Sequence, residues 1–154
     1  MHKIMSGFFL GILFVFLSII VSSCSPSDQI PQPQNTPSES ELAIAVVNEL
    51  NNSINAEDVN TYMSHVHPDS VFNNTEYING LKTSFEQFNM KNSMSDTSIE
   101  YLNDKEAKVS FTLLVDFNSS SFANTKVKGA YILRKNDGVW KLFSDEIDSV
   151  EAVN

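Results

Sequence analysis

Apolar residues follow three different patterns along the chain. From Gly7 to Val21 they form one run without a charged residue. Residues 24–40 are polar and hold four of the five prolines. Beyond residue 41, apolar positions recur first at helical spacing and then in alternation, the signatures of helices and strands. The chain is therefore predicted to comprise a leader (1–23), a Pro/Ser/Gln-rich disordered linker (24–40) and one domain (41–154).

Three helices are predicted in the first half of the domain. Ser38 and Glu41 have the spacing of a capping box, so the first helix begins near Ser38. Asn55 is the predicted N-cap of a short second helix that ends at His67, because a residue before proline is driven out of the helical region. Thr75 is the predicted cap of the third helix. The apolar positions of the three helices are Leu42, Ala43, Val46, Val47, Leu50 and Ile54, then Val59, Tyr62, Met63 and Val66, then Tyr77, Ile78, Leu81, Phe85 and Phe88.

Beyond Lys91 the period of the apolar positions changes to two, which predicts strands. The predicted strands cover 97–102, 107–117, 125–135 and 139–147. Asn136-Asp137-Gly138 is a strong hairpin turn between the last two strands. Helices followed by an antiparallel meander predict an α+β fold, with the N-terminal helices packed on one face of a curved antiparallel sheet.

The order of these elements resembles the nuclear transport factor 2-like superfamily (SnoaL-like, cystatin-like fold). Three stretches carry the resemblance: the break Asn55-Ala56-Glu57-Asp58 after the first helix, the helix Glu76–Phe88, and the hairpin end Asp137-Gly138-Val139-Trp140-Lys141-Leu142. It covers residues 41–150 and lies in pattern more than in identities. The resemblance implies a cone of helices and bent sheet that encloses a pocket.

The end of the leader and the residue after it read Val21-Ser22-Ser23-Cys24, which resembles the bacterial lipobox. The preceding apolar run is short for a membrane span and fits the core of a secretory signal peptide. Cys24 is the only cysteine of the chain, so it has no internal disulfide partner. We therefore predict cleavage before Cys24 and lipidation of its thiol, including by palmitate, in a secreted lipoprotein.

This prediction places the protein in the cell envelope, anchored by lipid to the outer side of the cytoplasmic membrane or to the outer membrane. Ser25 after the cysteine resembles the pattern of outer-membrane sorting. The net charge of −9 argues against a nucleic-acid partner. The membrane is thus the predicted partner, through the anchor alone.

His65-Val66-His67, with Asp69 two residues on, is the clearest candidate metal site. A His-x-His pair brings its rings together only on an extended strand, whereas His65 lies near a predicted helix end. The acidic stretch Asp145, Glu146 and Asp148 could chelate calcium loosely or meet a basic partner, but such a run is usually a solvated strand end. We therefore predict no metal, and no other cofactor is indicated.

The superfamily resemblance implies that an acid–base group could lie inside the cone. The candidates are His65, Asp116, Tyr62, Tyr77 and Tyr131, although strand alternation turns Asp116 toward solvent. Phe72, Tyr77, Phe85, Phe111 and Trp140 are predicted to be core rather than a ligand cage. The predicted pocket residues are Tyr62, His65, Tyr77, Phe85, Tyr131 and Trp140.

Three interpretations of function stay open. No catalytic set of the superfamily can be placed residue by residue, so we favour a non-catalytic module that binds a small apolar ligand or a protein partner. The alternative is a pocket enzyme of the ketosteroid isomerase and polyketide cyclase type, which transfers protons. A homodimer through the open face of the sheet is also expected from the resemblance.

Overall fold

A computed structural model of the chain describes residues 36–118 and 121–153. The predicted signal peptide, Cys24 and nearly all of the linker lie outside these residues. Within the described residues, no helix is both long and apolar enough to cross a membrane. The elements are α1 (Glu39–Asn55), α2 (Val59–Ser64), α3 (Thr75–Gln87), β1 (Lys91–Asn103), β2 (Glu106–Asp116), β3 (Asn124–Asn136) and β4 (Val139–Val153).

The predicted α+β arrangement is confirmed. The four strands form one antiparallel sheet in the order β1-β2-β3-β4, and the helices pack on one side of it. We call this side the helix-facing side and the opposite one the outward face. Asp137 and Gly138 both have positive φ, so the β3–β4 hairpin closes in the two-residue turn that the sequence predicts.

The start of α1 is as predicted. The Ser38 Oγ accepts a hydrogen bond from the Glu41 backbone N–H at 3.3 Å, and the Glu41 Oε2 accepts one from the Ser38 N–H at 2.7 Å. This reciprocal pair is the capping box, which satisfies two donors that the helix itself leaves free. The helix thus begins two residues before the predicted boundary of the domain.

The predicted cap of α2 was wrong by three residues and that of α3 by one. Asp58 caps α2, with its Oδ1 accepting from the backbone N–H groups of Asn60 and Thr61. Asn55 is the last residue of α1, and its amide bonds both backbone groups of Asn92 on β1, at 2.7 and 2.9 Å. Thr75 is the first helical residue of α3, because Asn74 is the cap.

The helix α2 ends at Ser64, earlier than predicted, because the chain then extends along the edge of β4. The backbone of His65 accepts from the Leu142 N–H, and the His67 N–H donates to the Leu142 carbonyl, both at 2.8 Å. Val66 and Leu142 form a parallel bridge. A tertiary contact therefore replaces the last helical turn.

The strands β1 and β4 are longer than predicted because bulges interrupt their alternation. The register of β1 on β2 shifts between Ser95 and Ser98, where Asp96 has a φ of 53°. The register of β4 on β3 shifts twice, at Lys128/Gly129 and at Ile132/Leu133. Each bulge adds one residue and reverses the side-chain alternation beyond it.

The core lies between α1 and the end of the sheet that carries the β1–β2 and β3–β4 turns. Ala43, Val47 and Leu50 of α1 are fully buried. The residues they join from the sheet are Ala107, Val109, Leu133, Trp140 and Leu142. Small side chains at positions 43 and 107 let α1 approach the strands closely, so this half of the domain is tightly filled.

Trp140 ties the first turn of α1 to the β3–β4 hairpin. Its ring is buried, and its Nε1 donates to the Glu39 Oε2 at 2.9 Å. The Lys135 Nζ lies 2.7 Å from the same carboxylate and 4.7 Å from the centre of the indole ring. The ammonium of Lys135 and the indole N–H of Trp140 both lower the pKa of Glu39.

Candidate functional site

Three tyrosines from three elements meet on the helix-facing side of the sheet. Tyr62 lies on α2, Tyr77 on α3 and Tyr131 on β3, and we call them the tyrosine cluster. The hydroxyl oxygens of Tyr62 and Tyr77 are 3.0 Å apart and share a hydrogen bond. Tyr62 is only 3% exposed. The cluster thus puts polar hydroxyl groups inside an otherwise apolar part of the domain.

These hydroxyls are neutral over the physiological pH range. Burial is the main cause that raises the pKa of Tyr62, of Tyr77 and of Tyr131. A phenol that stays protonated can donate a hydrogen bond but cannot serve as a base.

Asp145 is the charged group beside the cluster. It lies directly opposite Tyr131 in the β3–β4 register. Its negative charge contributes to the raised pKa of all three tyrosines. Within the described part of the chain, its carboxylate makes no ion pair and accepts no hydrogen bond. Asp145 is also exposed, so solvent or a ligand can reach its carboxylate.

Aromatic rings surround the tyrosine cluster. The ring of Phe72 lies 4.9 Å from that of Tyr77, and the ring of Phe111 lies 4.7 Å from that of Tyr131. Tyr62 and Tyr77 are 6.3 Å apart by their ring centres. The five rings line the region between α2, α3 and the middle of the sheet.

Apolar side chains remain exposed next to this region. Ile147 is 54% exposed and Val150 is 62% exposed, and we call these two residues the apolar strip. They lie opposite Gly129 and Val127, in the same cross-strand rows as Phe111 and Leu113, which places them on the helix-facing side. The helix α3 approaches the strands much less closely than α1 does. The helices therefore cover the half of the helix-facing side that is distant from the β3–β4 turn less tightly than they cover the core.

The predicted pocket residues fall into separate places. Tyr62, Tyr77 and Tyr131 come together in the tyrosine cluster. His65 and Trp140 line a different pocket, of about 270 Å³, beside α1 and the hairpin turn. Phe85 is buried against the start of α2. Desolvation and the nearby Lys141 lower the pKa of His65.

The other candidates lie outside the tyrosine cluster. Asp116 is exposed and pairs with Lys91 across the strands, so it turns away from the helices as alternation predicts. His67 is buried, and its Nδ1 accepts from the Asp69 N–H at 3.0 Å. In residues 36–118 and 121–153, no group of three or more His, Cys, Asp or Glu is placed to hold a metal ion.

Asp145 was considered only as part of an acidic strand end and was not predicted as a pocket residue, for a physical reason. Leu142 faces the core, so strict alternation would turn residue 145 outward and residues 144 and 146 inward. The bulge between Leu142 and Ser144 reverses this order and brings Asp145 beside Tyr131. Leu142 and Ile147 lie on the same side of the sheet although they are five residues apart, an odd spacing that was the sign in the sequence that alternation fails between them.

The fold of the domain is shared with solved structures of other proteins. It is similar to that of an NTF-2 like protein from Shewanella oneidensis MR-1, with a TM-score of 0.56, 13% identity, and 70% of this chain and 97% of that one covered. It is also similar to that of a cystatin-like-fold protein from Nostoc punctiforme, with a TM-score of 0.57, 21% identity, and 74% and 93% covered. The domain therefore has the nuclear transport factor 2-like, or cystatin-like, fold.

A third similar structure, from Novosphingobium aromaticivorans DSM 12444, is provisionally named a scytalone dehydratase. It has a TM-score of 0.58 at 15% identity, with 75% of this chain and 88% of that one covered. Residues 45–153 match the model of the family "Anti-sigma-I factor RsgI9, C-terminal domain", and the chain belongs to this family. No curated protein matches the chain.

Proposed function

We propose that this protein is a lipid-anchored extracytoplasmic module that binds a small apolar ligand between α3 and the sheet. The observation that supports it best is the apolar strip beside the tyrosine cluster. These isoleucine and valine side chains remain exposed on the helix-facing side. An apolar molecule that covers them removes apolar surface from water, and this makes its binding favourable. In this proposal the helices and the sheet form a cone, and the strip lines its mouth.

The polar groups of the region fit a binding role. Ligand pockets are mostly apolar and carry a few polar groups that fix the orientation of the ligand. The tyrosine hydroxyls supply neutral polar groups, and Asp145 supplies a charged one. We propose that these groups orient the ligand while the aromatic rings and the apolar strip provide most of the affinity.

The binding test uses the full chain with Nile red, a neutral apolar fluorophore. We expect Ile147→Trp to fill the mouth and to reduce the fluorescence gain several-fold. The control is Leu114→Trp, because Leu114 is also partly exposed but pairs with Lys126 on the outward face. Equal binding by wild type and both variants would place the dye elsewhere and refute the site.

The anchor rests on Cys24 and is tested separately. Cells that express the full chain would be labelled with radioactive palmitate, and the protein would be recovered from membrane and soluble fractions. We expect label and membrane retention for wild type and for the control Ser25→Ala, and loss of both for Cys24→Ser. Labelling that persists in Cys24→Ser would contradict the lipoprotein proposal.

An enzyme is the second candidate, and the position of Asp145 beside three neutral hydroxyls favours it. In this proposal the Asp145 carboxylate removes a proton from the carbon next to a ketone, and a tyrosine hydroxyl donates to the enolate oxygen. The proton then returns to carbon. Incubation in D2O with cyclohexyl methyl ketone would give deuterium at that carbon faster than buffer alone. Exchange equal in wild type and Asp145→Asn would rule this candidate out.

A further inference from the structure

We infer that the ligand of this site carries a positive charge on an apolar body. The inference rests on the proposed binding function and names the chemical class of the ligand. The site combines a carboxylate without a partner and several aromatic rings, which is the combination that attracts organic cations.

The first element of the site is the carboxylate of Asp145. Asp145 faces the tyrosine cluster, and no Lys or Arg of the described residues lies within ion-pair distance of it. The next residue on β4 does have such a partner. Glu146 pairs with Lys108 at 2.5 Å on the outward face. An anionic ligand would be repelled by Asp145, whereas a cation would supply the missing partner.

The rings are the second element. A cation within about 6 Å of an aromatic ring face is attracted by the ring, and the attraction grows when water is excluded. Phe72 packs on Tyr77, and Phe111 packs on Tyr131. The rings of Phe72, Tyr77 and Tyr131 are only half-buried, so a ligand can reach them. The tyrosines stay neutral, so their hydroxyl groups add no competing charge.

The apolar strip is the third element, and it determines the rest of the ligand. Ile147 lies two residues beyond Asp145, on the same side of the sheet. A ligand whose charged group meets Asp145 therefore extends its apolar part over Ile147 and Val150. The expected ligand is an amphiphilic amine or quaternary ammonium ion.

The test compares two probes of the same shape, phenyltrimethylammonium and tert-butylbenzene. They differ in charge alone, and binding to the full chain is followed through the NMR signals of the tyrosine rings. We expect the cation to bind more tightly, and Asp145→Asn to weaken it roughly fivefold while leaving the neutral probe unchanged. The matched control is Asp148→Asn. It removes the same charge from β4, but at a depression on the outward face of the sheet.

The outcomes separate the two proposals. A cation preference that is lost in Asp145→Asn and kept in Asp148→Asn supports the inference. Equal affinity for both probes, or a preference that survives Asp145→Asn, overturns the charge of the ligand but leaves the binding function in place. Binding of neither probe overturns both.

Discussion

The hydroxyl groups of Tyr62 and Tyr77 join α2 to α3 through a hydrogen bond of 3.0 Å. Both hydroxyls lie in a mainly apolar environment, where an unpaired polar group is costly. The bond therefore holds α3 in place over a part of the sheet that it approaches less closely than α1 does.

The first prediction concerns this bond. Tyr77→Phe leaves the buried Tyr62 hydroxyl without its partner and should lower the free energy of unfolding by about 1–3 kcal/mol. The double variant Tyr62→Phe/Tyr77→Phe removes both hydroxyls, so it should cost less than the sum of the single variants. Urea unfolding of the full chain measures all three. Strict additivity would show that the two hydroxyls do not interact.

The second prediction concerns the bulge that turns β4. A Cβ built on Gly129 would lie 2.4 Å from the Glu146 carbonyl oxygen, which is backbone and cannot move freely. Gly129→Ala should therefore destabilise the domain by about 1–3 kcal/mol. Gly80 on α3 has open space around it, so Gly80→Ala should stabilise by about 0.5–1 kcal/mol. Similar effects of the two substitutions on the urea midpoint would contradict the close approach of Gly129 to the backbone of Glu146.

The third prediction is a loss of stability at alkaline pH. Tyr62 is neutral in the folded state, and its pKa there is raised above the ordinary value of 10.0. Above pH 10 the unfolded chain releases this proton while the folded one keeps it, so stability falls as the pH rises. In the Tyr62→Phe variant the free energy of unfolding should fall less steeply with pH, by about 1.4 kcal/mol per pH unit. Urea midpoints between pH 9 and 11.5 that fall equally in both proteins would contradict it.

The fourth prediction concerns self-association through the outward face. That face carries the ion pairs Lys108–Glu146 and Glu106–Arg134. If the homodimer expected from the superfamily forms there, Lys108→Glu should place like charges in the interface and weaken it at least tenfold. Lys82→Glu, a charge reversal on the exposed side of α3, is the control. Sedimentation equilibrium that finds only monomers of the wild type would contradict the dimer.

Much of the fold could be predicted from the sequence because local chemistry decides it. Ser38 and Glu41 identify the start of α1, and Asp137-Gly138 identifies the hairpin turn. The end of α2 could not be predicted, since His65 and His67 leave the helix to bond Leu142, far along the chain. Local spacing contains no information about such a partner.

The candidate site was predicted only in part for a related reason. The three tyrosines lie at positions where helical and strand periods turn them inward, so the sequence could indicate each of them. Asp145 faces them only because of a bulge, and a bulge shifts the alternation on which the prediction relies. His65 and Trp140 were grouped with the tyrosines by the resemblance, but they lie at the hairpin end of the domain.

The most direct test of the proposed function is to locate a bound apolar probe by nuclear Overhauser effects. The full chain would be mixed with tert-butylbenzene, and contacts would be traced from its methyl protons. We predict contacts with Tyr131, Ile147 and Val150. Contacts with Trp140 and Val139 would place the ligand in the other pocket, and the absence of any contact would contradict ligand binding by this domain.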